Sequence, residues 1–134
     1  MSTFPVSTAA SLLGPCASTA GKVQDLLVLI GCLPVSHDTA SPLAAELRKL
    51  RGAVSQLLQR LSSGSATFSD DAVDTMKSVL TAGDEIIAGM GNSIRLYVSE
   101  PSQHPWNVQT AERYTRMVET QSQALTILLE VVEL

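Results

Sequence analysis

The residues of this 134-residue chain best suited to metal binding or nucleophile activation are His37, His104, Cys16, Cys32 and 13 carboxylates. A metal held inside a helical bundle would draw on Glu and Glu-x-x-His ligands from facing helices. Neither histidine has a glutamate three residues before it. Glu100 and His104 stand four apart, but Pro101 interrupts the helix that would align them. Cys32 and His37 are near in sequence, with Pro34 between them and no third group to orient the imidazole. "GMGNS" (89–93) lacks the preceding strand and following Lys-Ser/Thr of a phosphate loop. The sequence displays no catalytic constellation, and neither a cofactor nor enzymatic activity is expected.

The elements that would have to position any site are helical. The composition is 45% apolar but only 4% aromatic, so the core must be built from Leu, Val, Ile, Ala and Met, a mixture that favours helix over sheet. The length suits one domain with a real core. A net charge of -4, from 13 acidic and 9 basic residues, argues against nucleic acid, which demands a basic face. Cys16 and Cys32 on one helix would lie about 24 Å apart, beyond disulfide reach. They read as small buried hydrophobes of a reducing compartment. Residues 1–21 are uncharged, but no basic n-region is present and Ser, Thr and Gly are too frequent for a signal peptide. "LLVLIG" is too short to span a bilayer. A cytoplasmic protein is expected.

Four blocks carry apolar residues in alternating steps of four and three. The first runs Ala9, Leu13, Cys16, Ala20, Val23, Leu27, Ile30 and the second Leu43, Leu47, Leu50, Val54, Leu57, Leu61. The third runs Val73, Met76, Leu80, Gly83, Ile87, Met90, Ile94, Tyr97. The fourth runs Ala111, Tyr114, Val118, Gln121, Leu125, Leu128, Val132. Four such stripes close an all-α antiparallel bundle of four main helices.

Punctuation supports the division. Gly31 and Pro34 end the first helix, and Ser41-Pro42 is expected to open the second as cap and first-turn proline. Ser69 is the expected cap of the third helix, with Asp70, Asp71 and Asp74 favoured at its positive start. Asn107 is the expected cap of the fourth, and Trp106 is placed to staple onto Ala111. Gly14-Pro15 inside the first block predicts a kink, a hinge that leaves residues 4–13 semi-independent. Gly83 falls on the seam, where close helix contact explains it, whereas Gly89 and Gly91 suggest a bend.

Surface and seam offer the remaining candidates. Arg48, Lys49 and Arg51 are candidates to touch lipid phosphates or acidic partners, against the plainer reading of a solvated face paired with Glu46. Gln121, in mid-seam, reads as a structural hydrogen-bonding residue. "FPVSTAASLL" is apolar on one side and hinged at Gly14 and Pro15, so it could leave the bundle for a membrane or a neighbouring protomer. The alternative is that it packs as the first turns of the bundle.

The order of motifs carries a resemblance. "FPVSTAASLLGPCASTAGKVQDLL" is followed by "LAAELRKLRGAVSQLLQRL", a further helix, then "HPW" and "AERYTRMVETQSQALTILLEV". This pattern resembles the fungal N-terminal domains that head STAND/NACHT-type (NLR-like) immune receptors and ankyrin-repeat proteins, the HeLo-like group. Gln121, Ala124, Leu125, Leu128 and Leu129 match the closing helix of that pattern, while Met117 or Val118 fills its usual leucine. The likeness spans nearly the whole chain through loose helical patterns.

The resemblance implies a non-enzymatic signalling domain at the head of a larger protein, whose apolar ending "ILLEVVEL" would join a following module. It implies action by self-association and by release of the N-terminal helix toward membranes, giving cell death, with Phe4, Val6, Leu12 and Leu13 as the contact residues. This first segment is richer in Ser, Thr, Ala and Gly than a potent membrane helix. The rival expectation is a helical adaptor that binds a partner protein and never meets lipid. A third, an enzyme or small-ligand carrier, rests only on the room a Gly- and Met-containing seam could leave.

Overall fold

The computed structural model describes residues 11–31, 37–63 and 68–133. They form four helices and no strand among the described residues: α1 (Leu13–Gly31), α2 (His37–Ser63), α3 (Asp70–Ser99) and α4 (Val108–Glu133). The all-α bundle expected from the heptad stripes is what the chain adopts.

The third stripe is followed most closely. Val73, Met76, Leu80, Gly83, Ile87, Met90 and Ile94 are all buried, and Tyr97 is half-buried. In α2, Leu43, Leu47, Leu50, Val54 and Leu57 are buried and Leu61 is half-buried. Along α1 and the turn before it the buried line is Leu12, Cys16, Thr19, Val23, Leu26 and Ile30. It shares Cys16, Val23 and Ile30 with the expected stripe, and Leu12, Thr19 and Leu26 take the places of Leu13, Ala20 and Leu27. A count of apolar residues passes over Thr19, which is buried because its hydroxyl finds acceptors there. In α4, Ala111, Val118 and Leu125 are buried as expected, while Ser122 and Leu129 are buried more deeply than Gln121 and Leu128.

The helix ends follow local chemistry. Ser69 sits in extended backbone and its side chain accepts from the Ala72 N–H at 3.1 Å, with Asp70 and Asp71 in the first turn. Asn107 caps α4: Oδ1 accepts from the Thr110 N–H at 2.9 Å, and the Asn107 carbonyl accepts from the Ala111 N–H at 3.0 Å. The expected opening of the second helix at Ser41-Pro42 is corrected. The helix begins at His37, and Pro42 lies inside it, on an exposed position. Proline forfeits one hydrogen bond there, to the Asp38 carbonyl, and the helix continues through it.

Gly14-Pro15 falls in the first turn of α1, after a turn at Ser11 and Leu12. The first N–H groups of a helix have no intrahelical partner, so proline costs no bond at this place. The Leu12 carbonyl accepts the Cys16 N–H at 2.9 Å, just past the proline. Ala9 and the rest of residues 1–10 lie outside the described residues.

Each helix packs on two others: α1 on α2 and α3, and α4 on α2 and α3. The consecutive pair α2 and α3 therefore faces across the bundle. Along α3 and α4 the paired residues run in opposite order, Ser93 with Tyr114 and Gly83 with Gln121. Between α1 and α2 they do likewise, Cys16 with Val54 and Gln24 with Arg51. Between α1 and α3 the order is shared: Thr19 meets Asp84, and Leu29 shares a groove with Gly91 and Arg95. Between α2 and α4 it is shared too, Pro42 lying near Ala111 and Ala53 near Ser122. The start of α1 and the end of α4 consequently occupy the same end of the bundle.

Candidate interaction surface

The candidate residues of the first segment divide around Gly14 and Pro15. Phe4 and Val6 lie outside the described residues. Leu12 is fully buried in the core and Leu13 half-buried, while Gly14 and Pro15 are exposed. Leu12 is thus part of the bundle's packing, and a contact through it requires the chain before Gly14 to move away.

The basic trio does not form one patch. Residues two apart on a helix point about 200° apart, so Lys49 and Arg51 face opposite flanks of α2. Arg51 turns to α1 and donates to Gln24 Oε1. Lys49 turns to the α4 side, and its Nζ lies 3.2 Å from Glu46 Oε1. Arg48 is exposed. The pairing of Lys49 with Glu46 agrees with the solvated-face reading and is a weak surface ion pair.

The α2–α4 side carries a groove in two stretches. One, of about 500 Å³, is lined by Lys49, Gly52 and Gln56 from α2 and by Ser122, Gln123 and Ile127 from α4. The other, of about 290 Å³, continues toward Pro42 and includes Ala111 and Glu119. Ile127 is 58% exposed at the rim. A Cβ at Gly52 would meet no atom within 4 Å, so this glycine leaves the floor open. The sequence signal for this face is the surplus of apolar residues at the end of α4: Ile127 lies off the seam occupied by Leu125 and Leu128.

Two polar arrangements are not legible in the sequence. The Thr19 hydroxyl lies 2.8 Å from Asp84 Oδ1, and Lys22 Nζ lies 3.3 Å from Asp84 Oδ2. Together they tie α1 to α3 one turn beyond Pro15. At the far end of the bundle Trp106 stacks on Tyr114, with ring centroids 5.6 Å apart and planes 4° apart. Tyr114 in turn shares a 2.9 Å hydrogen bond with Ser93. Trp106, expected to staple onto Ala111, lies with its indole flat against Tyr114, and Trp106 and Ala111 are both buried.

Gln121 is half-buried, and its Oε1 is buried without a hydrogen-bond partner among the described residues. Cys16 is fully buried, its thiol donating to the Val54 carbonyl at 3.3 Å. Burial pushes that thiol up to about 11, which holds it protonated and inert as a nucleophile at neutral pH. Cys32 lies outside the described residues, as does the side chain of His37, so the pair is not placed. His104 is exposed in the turn after α3, where its N–H donates to the Glu100 carbonyl at 3.0 Å. Among the described residues no three His, Cys, Asp or Glu side chains are grouped as a metal would require. Among the same residues no helix is long and apolar enough to cross a membrane.

No family model, curated protein or solved structure matches the chain.

Proposed function

We propose that this chain is a non-enzymatic signalling and interaction domain of the HeLo-like kind, cytoplasmic until activated. It acts by self-association, which frees the segment before Gly14 for a membrane or a partner protein. The placement of the hinge supports this reading. Gly14 and Pro15 stand between one buried side chain, Leu12, and a helix held downstream by Cys16 and Thr19. Extracting a buried leucine costs about 1.5 to 3 kcal/mol, an amount that the interface formed on association can offset. The remainder of α1 would stay in place.

A leakage assay on anionic vesicles tests the membrane step. The intact chain, clustered through an appended oligomerising tag, is expected to release dye. A Phe4→Glu/Val6→Glu variant is expected to remain helical by circular dichroism and to release none. Equal release by both, or release by neither, would remove the membrane step from the proposal.

The alternative is a helical adaptor that binds a partner protein without membrane activity. The burial of Leu12 in the core favours it. Silent vesicles together with an intact self-association would leave this adaptor reading in place.

A further inference from the structure

We infer that the α2–α4 face is the surface through which two copies of this chain associate, around a two-fold axis running along the groove. The inference rests on the self-association reading and assigns it a surface. Three observations converge on this face.

The first is shape. An exposed Ile127 side chain stands beside a floor opened by Gly52, so each copy presents both a projection and a recess. A helix-interior glycine costs about 1 kcal/mol against alanine, and no atom of the chain would obstruct a Cβ at Gly52. The space over Gly52, like that over Gly21 and Gly89, is open, and at Gly52 it lies in the groove where a second copy can approach.

The second is charge. The outer face of α2 carries the exposed Arg48 and Lys49, the latter also paired with Glu46, and that of α4 carries the exposed Glu112, Glu119 and Glu130 against one cation, Arg116. The two signs lie side by side on one copy. A two-fold axis along the groove sets α2 of one copy over α4 of the other, so positive meets negative in both places.

The third is register. The two helices share their direction, so heights match after the rotation. Pro42 lies near Ala111 and Ala53 near Ser122, so Lys49 stands level with about Val118, and Glu119 lies only about 1.5 Å further along α4. A lysine side chain spans that offset, placing Lys49 of each copy against Glu119 of the other. An axis across the helices would instead set α2 on α2, positive face on positive face, and α4 on α4, which like-charge repulsion opposes. The face is one groove wide, which places the association in the weak, transient class. Such a surface responds to enforced proximity and leaves dilute copies apart.

Sedimentation of the intact chain over a concentration series, with circular dichroism as the folding control, tests the assignment. The wild-type chain is expected to dimerise reversibly. Ile127→Glu and Gly52→Leu, both at exposed positions, are expected to remain helical and monomeric. Lys49→Glu alone and Glu119→Lys alone are each expected to weaken the dimer by about tenfold or more, since each opposes like charges twice. Mixing those two single variants is expected to restore a heterodimer, in which both contacts are again opposite in sign. A wild-type chain that stays monomeric throughout overturns the self-association reading together with this surface. Association that persists unchanged in Ile127→Glu and Gly52→Leu, or a mixture that fails to pair, overturns the surface alone.

Discussion

Thr19 and Asp84, 65 positions apart in the chain, meet at 2.8 Å between α1 and α3. The Pro15 carbonyl lies 2.9 Å from the same hydroxyl, which has one proton to give. The carboxylate is the stronger acceptor, since hydrogen bonds to charged groups are shorter and stronger than neutral ones. Thr19 thereby holds the first turns of α1 against the bundle, just beyond the residues that would have to move.

Replacing Thr19 by valine keeps the shape and removes the donor. The expected loss is about 1.5 to 3 kcal/mol, the range for a hydrogen bond to a charged group. Urea unfolding measures it, and a double-mutant cycle with Asp84→Asn isolates the coupling. Lys22→Ala, which removes a partly exposed ion pair, is expected to cost less than about 1 kcal/mol. A Thr19→Val variant as stable as wild type would show that the contact does not anchor α1.

Cys16 links stability to alkaline pH. Its folded thiol titrates at about 11, raised by burial from an ordinary value of 9.0. The folded state therefore holds the proton more tightly, so this group's contribution is fully present below pH 9 and falls as pH rises from 9 to 11. The loss across that window is about 2 to 3 kcal/mol. Urea midpoints measured in a Cys32→Ser background, against the same chain carrying Cys16→Ala, isolate the thiol's share. A pH slope identical in both chains would contradict it.

Gly83 and Gln121 offer a repair. A Cβ at position 83 would lie 3.7 Å from Gln121 Oε1, an ordinary contact, and that oxygen is buried without a partner among the described residues. Gly83→Ala is expected to be tolerated and to gain up to about 1 kcal/mol of helix propensity. Gly83→Ser, which adds a donor beside the orphaned oxygen, is expected to stabilise beyond alanine by about 0.5 to 1.5 kcal/mol. Thermal and urea unfolding of the pair decide the matter: serine no better than alanine would mean that the oxygen is already satisfied.

Trp106, the single tryptophan, is buried with its Nε1–H unpartnered among the described residues. Trp106→Phe keeps the aromatic contact with Tyr114 and removes that idle donor, so it is expected to cost no more than about 1.5 kcal/mol. Trp106→Ala removes the stack and opens a cavity, for about 3 to 5 kcal/mol. Denaturant curves followed by circular dichroism compare the two. A phenylalanine variant as damaged as the alanine variant would point to a hidden partner for the indole nitrogen.

The bundle is readable because its instructions are periodic and local. The stripe of α3 and the caps Ser69 and Asn107 depend on residues within a few positions of one another. What escapes such a reading is non-local or set by competition. Thr19 enters the core because an acid on another helix awaits it, which no count of apolar residues registers. Pro42 reads as a helix start because proline favours the first turn, yet the chain accepts one missing bond and begins the helix at His37. The basic trio looks like a patch in one dimension, and the helical turn sends Lys49 and Arg51 to different flanks. Ile127 is visible as surplus apolar character, but only the position of α2 reveals that it borders a groove.

The shared end of α1 and α4 has a mechanical consequence. A load applied through Leu12 and Glu133 enters the bundle at one pole. It acts across the helix axes, prying the helices apart one contact at a time, and never pulls whole interfaces past one another. A bundle gripped in this way yields to smaller forces than one pulled from opposite poles.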